Sequence, residues 1–485
     1  MLTPVLDPNA SQPLYEQIYR HIRREIEGGA LRPGERLPSK RALAAHLKVG
    51  VITVENAYEQ LLAEGYVYTQ AKRGFFVQSQ ETERPLSPAA PSAPALPAPA
   101  EVSPLPYDFS TNAVDTEHFP FSTWARLMRE VLSEEDSALL SSPHPQGVPA
   151  LRAAIVRYLH DFRGIDVHPD QIVVGAGAEY LTTLLFQLLG RGGGWAVEDP
   201  GYRKVQRILS HTGALVCPIP LDREGLRTDA LRWSGARVVH VTPSHHFPLG
   251  TVMSMPRREA LLRWAGEQPD RYIIEDDYDS EFRFDGRPVP ALQSLDKNER
   301  VIYLNTFAKS LAPSLRIGYM VLPPHLIRRY REEFRLYSST VPSFEQYTLA
   351  RFLERGHFER HIRRMRTIYC QRRDALLAAA EGAGLLAWGS FAGMEAGLHL
   401  LFRVSSPVPE GALVEAAAEA GVGVSPLSAY SITPPDTPGP VLVLGYGRLD
   451  PADMVPAMEQ LAAAWQPFFS PGSPSGRRTS SPSLP

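Results

Sequence analysis

Cysteine is almost absent: Cys217 and Cys370 are the only two in 485 residues. That excludes a disulfide framework and a cysteine-based metal cluster, and it suits a reducing compartment. No run approaches the roughly 18 consecutive apolar residues of a membrane-spanning helix. The opening Met1-Leu2-Thr3-Pro4-Val5-Leu6-Asp7 lacks the basic-then-apolar form of a secretory signal. These absences predict a cytoplasmic protein. A dominant charge is missing too, since a net charge of −3 gives no whole-chain argument for nucleic acid.

What the chain has is length, too much for one core, which predicts two to three domains. Proline marks the joints. Eight prolines fall in Ser79–Pro106, a segment that cannot keep a helix ladder and offers little to bury. At ~3.1 Å per residue such a spacer reaches on the order of 80 Å when extended. The reading is a head at 11–78, a Pro/Ala-rich linker at 79–106, a body at 107–468 and a Ser/Pro/Gly-rich tail at 469–485, expected to be disordered.

In the head, Leu14, Ile18, Ile22 and Ile26 recur at four-residue spacing, an amphipathic helix ended by Gly28-Gly29. Ser39 is placed to cap a short helix over 40–47. Gly50 breaks the chain before a third helix from about Ile52 to Glu64. Two short strands, 65–69 and 74–77, flank a turn carrying Lys72 and Arg73. Two helices across a tight turn, with a basic wing beside them, form the arrangement that enters a major groove and grips phosphates. Residues 1–78 hold 10 Lys and Arg against 8 Asp and Glu, so local clustering rather than bulk charge argues for DNA. An interaction module without DNA is the plainer alternative.

The body alternates helical segments with short apolar strands such as Ile172–Val174, Val238–Val241, Ile273–Glu275 and Val301–Leu304. That predicts an α/β fold with a parallel sheet and ligands at the strand carboxyl ends. Lys309 lies in Asn305-Thr306-Phe307-Ala308-Lys309-Ser310, seven residues before Arg316. The strand Tyr272-Ile273-Ile274-Glu275-Asp276-Asp277 ends in carboxylates upstream. An amine, a carboxylate and a cation are what a pyridoxal 5'-phosphate (PLP) site requires: a Schiff-base partner, a group to keep the pyridine nitrogen protonated, and a phosphate anchor. Surface charge on a loop is the bland reading of Lys309 and Arg316. Adjacent His245 and His246 suggest a metal only weakly, because sequence neighbours rarely point the same way; no metal site is assigned.

The motifs Leu-Pro-Ser-Lys-Arg-Ala-Leu-Ala, Thr-Val-Glu-Asn-Ala-Tyr-Glu-Gln-Leu-Leu and Arg-Gly-Phe-Phe-Val resemble the GntR-type winged helix-turn-helix. The order of motifs in the body resembles fold-type I PLP enzymes, the aspartate aminotransferase superfamily. Together they resemble the MocR/GabR class of fused regulators. The resemblance implies that Ser39, Lys40 and Arg41 approach DNA, that Thr53 lies on the recognition helix, and that Lys72, Arg73 and Gly74 form the wing. Val51 stands where many such heads carry an arginine.

In the body the resemblance gives the amides of Ala178 and Glu179, together with Thr306 and Arg316, to phosphate. It gives Tyr202 to stacking on the ring, Asp276 rather than Asp277 to the pyridine nitrogen, Tyr278 to the ring hydroxyl, and Lys309 to covalent attachment. Phe247 stands where aminotransferases place asparagine, leaving His246 or Tyr278 for the ring hydroxyl. The strand that carries the substrate-carboxylate arginine opens here with Val441, so Arg203, Arg207, Arg403 and Arg448 are candidate substitutes. Ser142 occupies the place of a tyrosine that completes the neighbouring subunit's site. The expected function is a PLP-dependent transcription regulator that binds a double-stranded DNA operator as a homodimer and senses PLP or a small amino compound. The alternative is a working aminotransferase with an accessory DNA-binding head.

Overall fold

The computed structural model describes residues 6–7, 10, 12–71, 73–79, 105–109, 114–134, 137–190, 192–284, 289–434 and 439–469. Lys72, nearly all of the linker and the tail beyond residue 469 lie outside the described residues. The chain divides into two compact units, Met1–Val102 and Ser103–Pro485.

The first unit has three helices, Leu14–Glu27, Lys40–Leu47 and Val51–Ala63, followed by a hairpin of Val67–Gln70 and Gly74–Val77. The hairpin is antiparallel, with Val67 opposite Val77 and Gln70 opposite Gly74. Ile18, Ile22, Leu43, Val54, Tyr58 and Leu61 close a single core with the hairpin. Ser39 caps the second helix, its hydroxyl accepting from the Ala42 amide at 3.2 Å. The turn before that helix is tied to the wing: Leu37 N–H donates to Phe75 and Val77 N–H donates to Glu35, both at 2.9 Å. The second and third helices and the wing therefore form one rigid frame.

The second unit is built on an eight-stranded sheet in the order Ile172–Gly175, Gly318–Val321, Val301–Thr306, Tyr272–Asp276, Ala236–Val241, Gly194–Asp199, Leu215–Asp222, Gly225–Leu226. The central strands are parallel and buried on both faces, which is why they read as continuous apolar runs rather than alternating ones. Separate apolar clusters cover the two faces. The expectation of a parallel sheet needs correction at two strands, the first being the edge strand Gly225–Leu226, which runs antiparallel to Leu215–Asp222. The second, Gly318–Val321, runs antiparallel to both neighbours, with Thr306 opposite Gly318. The loop 307–317 is too short for a crossover helix, which takes about a dozen residues or more, so the chain doubles straight back.

A smaller antiparallel sheet, Gly389–Ala392, His399–Val404, Val441–Gly445 and Ser425–Pro426, follows in space order. The long helix His357–Gly382 and the last helix Pro451–Phe469 pack with it, and the buried Trp465 indole donates to Leu413 O at 2.9 Å. Among the described residues, no helix is long and apolar enough to cross a membrane.

Candidate functional site

Parallel strands deliver their carboxyl ends to one edge of a sheet, and there the second unit opens a cavity of about 310 Å³. Its walls come from the ends of five strands and the loops beyond them. Ala178, Glu179, Tyr202, Asp276, Tyr278, Thr306, Lys309 and Arg316 all line it. These residues span some 140 positions of sequence, and the sheet brings them together.

Burial pushes the Lys309 amine down to about 8; nearby Lys204 adds to that effect and Asp279 opposes it. An amine in that range carries a substantial neutral fraction near physiological pH, the form that acts as a nucleophile.

Asp276 ends its strand with Oδ2 3.2 Å from His240 Nε2. Its other oxygen, Oδ1, is buried without a hydrogen-bond partner. A buried carboxylate oxygen left unpaired is costly, so this atom fits a donor supplied by a ligand, such as a pyridinium N–H. Asp277 turns the other way. Its Oδ2 accepts from Tyr303 at 2.5 Å and from Ser280 at 2.9 Å, and it pairs with Arg163 at 2.8 Å. Of the two neighbours, Asp276 lines the cavity and Asp277 is not among its described lining residues.

The amino end of helix Ala178–Leu189 forms another wall. Its cap residue Gly177 has φ +87°, and a Cβ there would meet the Arg316 guanidinium at 3.0 Å. Only glycine combines that backbone with so close an approach. Arg316 donates to Ala176 O at 3.2 Å and to Glu179 at 2.9 Å, and the Lys204 ammonium reaches the same carboxylate at 2.6 Å. Two cations converge on a helix amino terminus, which is the make-up of an anion site. PLP fits this set of residues: an amine, an unpaired carboxylate oxygen and an anion cradle surround one space.

The other expectations fare unevenly. His246 does not line the cavity. It is buried behind it, 3.5 Å from Glu198, and burial pushes its imidazole down to about 3. Tyr278 does line it, with its hydroxyl 3.2 Å from His245 Nδ1. None of Arg203, Arg207, Arg403 and Arg448 is among the described lining residues; Arg203 instead donates to Ala429 O at 2.9 Å. Ser142 is exposed. Phe247 is boxed edge-to-face by Tyr202 at 5.8 Å, His399 at 5.2 Å and Tyr430 at 5.1 Å. Among the described residues no group of three or more His, Cys, Asp or Glu could hold a metal ion. Sequence reasoning missed Lys204, Asp279 and His399 in the lining and His240 behind Asp276. None belongs to a motif, and only the fold brings them close.

In the first unit, Arg41 and Arg73 are exposed, and Thr53 is half-buried near the start of the third helix. Lys40 pairs with Glu55 at 2.6 Å and sits over the Phe75 ring. Val51 and Ile52, 43% and 71% exposed, present apolar surface at the front of that helix. Gly74 opens the second strand at φ +109°.

Two family models match: residues 14–77 fit the bacterial regulatory proteins of the gntR family, and residues 106–441 fit aminotransferase class I and II. The HTH-type transcriptional regulator YhdI of Bacillus subtilis is 39% identical over 97% of this chain and 99% of its own. The probable rhizopine catabolism regulatory protein MocR of Rhizobium meliloti is 37% identical over 99% of both. Among solved structures, a multiple substrate aminotransferase from Thermococcus profundus has a TM-score of 0.65 and 27% identity, covering 76% of this chain and 92% of that one. The chain belongs to the MocR-type transcriptional regulators, in which a GntR-family winged helix precedes an aminotransferase class I and II domain.

Proposed function

We propose that this protein regulates transcription by binding duplex DNA through its head (11–78) while its body (107–468) holds PLP at Lys309 and responds to PLP or a small amino compound. The observation that carries the reading is the convergence of Lys309, Asp276 and the Arg316–helix end on one cavity. When bound, PLP supplies an aldehyde that condenses with primary amines and an electron-withdrawing ring. The residues do the holding. Lys309 offers the amine, and Asp276 Oδ1 accepts from the pyridine nitrogen. The amides of Ala178 and Glu179, with Thr306 and Arg316, take the phosphate. The ring of Tyr202 covers the cofactor, and the Tyr278 hydroxyl meets the ring oxygen.

Two such bodies form a homodimer in the cytoplasm, so paired heads on the 79–106 spacers read two half-sites of an operator. A catalytic aminotransferase with a DNA-binding head is the second reading. It is favoured by the Lys309 amine at about 8, a value suited to a general base. The test is an absorbance titration of the full chain with PLP, then with a panel of amino acids, while assaying keto-acid release. A cofactor spectrum that shifts with an amine, without turnover, supports the regulator. Sustained keto-acid release supports the enzyme. Absence of any bound cofactor spectrum refutes both.

A further inference from the structure

A second cavity of about 180 Å³ lies in the body, and Asp279 lines both it and the first. Its volume equals about six waters at roughly 30 Å³ each, room for a ligand of six to nine heavy atoms. The walls come from several separate stretches, with Val289 and Ala396 completing the four that carry the polar and aromatic groups. Tyr158 and Phe162 stand on helix Pro149–Arg163, His245 on the loop after strand Ala236–Val241, Asp279 to Arg283 on the turn after strand Tyr272–Asp276, and Arg366 on helix His357–Gly382.

The polar groups are sorted by depth. Glu281 is placed inside, its Oε1 accepting from the Tyr158 hydroxyl at 2.6 Å and its Oε2 buried with no hydrogen-bond partner. Burial pushes this carboxyl up to about 7, so an arriving cation would be welcome there. Arg163 cannot serve as that cation, being committed to Asp277 at 2.8 Å and to Ser244 at 2.9 Å. Arg366 is exposed, and its Nη2 donates to Arg283 O at 2.6 Å, which leaves other guanidinium donors for an anion. The Arg283 Nε is itself buried without a partner. Phe162, 40% exposed, supplies an apolar lip.

We infer that this second cavity is a binding site for a small zwitterionic amino acid, whose ammonium meets Glu281 and whose carboxylate meets Arg366. A carboxylate acceptor and guanidinium donors lining one cavity of about 180 Å³ match both ends of such a molecule and its size. A simple amine would leave the guanidinium unused, and a simple carboxylate would face Glu281. Asp279 lies 2.8 Å from His245 Nδ1 on one side and faces the Lys309 cavity on the other, so an occupant here shares a wall with the proposed cofactor. The inference names an additional ligand of the regulator and rests on the PLP reading only for the way the first cavity is sealed.

The experiment uses the full chain loaded with PLP and reduced with borohydride, which closes the first cavity. L-alanine and β-alanine are titrated by calorimetry, with ethylamine and propionate as single-charge controls. One saturable site for an amino acid is expected, weakened at least about tenfold in Glu281→Gln and in Arg366→Glu, as loss of a charge-assisted contact implies. Arg366 is on the surface, so its variant reports even where Glu281→Gln disturbs folding. No saturable binding, binding indifferent to both substitutions, or ethylamine binding as well as alanine would overturn the site. Mass analysis of the reduced protein reports separately whether Lys309 carries PLP. Where it does not, the titration on cofactor-free protein still decides the second cavity.

Discussion

Asp276 and Asp277, adjacent in sequence, leave the same strand end on opposite sides: the first faces the cavity of Lys309, and the second is locked to Arg163 at 2.8 Å. The two residues should therefore fail differently. Asp276→Asn is expected to weaken PLP retention while leaving the melting temperature near wild type. Asp277→Asn is expected to cost about 3 kcal/mol of stability, as when a buried pair loses one charge, with retention less affected. Thermal melts and dialysis of loaded protein check both; equal loss of retention would undo the division of roles.

Lys309→Ala should remove covalent cofactor and leave the fold intact, since the amine sits in a cavity that can accept water. The measurement is the mass of peptides after borohydride reduction. An adduct of the same yield on another lysine, Lys204 being nearest in function, would displace Lys309 from its role.

In the head, exposed Arg41 and Arg73 should each release counterions on binding DNA, whereas Lys40 is already held by Glu55 at 2.6 Å. Arg41→Ala, and a double change of Lys72 and Arg73 to Ala, should flatten the slope of log affinity against log salt by about 0.9 per lost phosphate contact. Lys40→Ala should flatten it less. PLP binding should stay normal throughout. Unchanged slopes in both arginine variants would remove these residues from the interface.

Glu198 supplies a pH test. Burial raises its carboxyl from 4.5 to about 7, against the lowering pull of its Thr242 hydrogen bonds. The folded state therefore favours the protonated acid. The stability it contributes is whole below about pH 4.5 and is lost as pH rises to about 7. Glu198→Gln mimics the acid and keeps an acceptor for Thr242. Its melting temperature should gain on wild type across that window and level off above it. A difference that does not vary with pH would mean the carboxyl is not raised.

Much of this was legible in the sequence because strand ends carry local signals. The apolar run before Asp276, the Thr306-to-Lys309 step and the glycine turn before Ala178 each mark a place where a buried strand ends. Such a place can be read without knowing its neighbours. The antiparallel direction of Gly318–Val321 was not legible, since direction depends on the length of loop 307–317 and not on side-chain pattern. His240 and Asp279 sit on different strands and turns, and their closeness to Asp276 and Lys309 comes from strand order alone. The motif places Lys40 near DNA but not its ion-pair partner Glu55, which lies fifteen residues further on. Long-range pairing of that kind leaves no trace in a window of sequence.

The central claim is that cofactor in the body governs DNA binding by the head. Duplexes selected from a random pool by the PLP-loaded full chain should be titrated by fluorescence anisotropy against loaded protein, cofactor-free protein and Lys309→Ala. The account predicts that PLP changes the affinity of wild type severalfold and leaves Lys309→Ala unmoved. Identical affinity with and without PLP in wild type would contradict it.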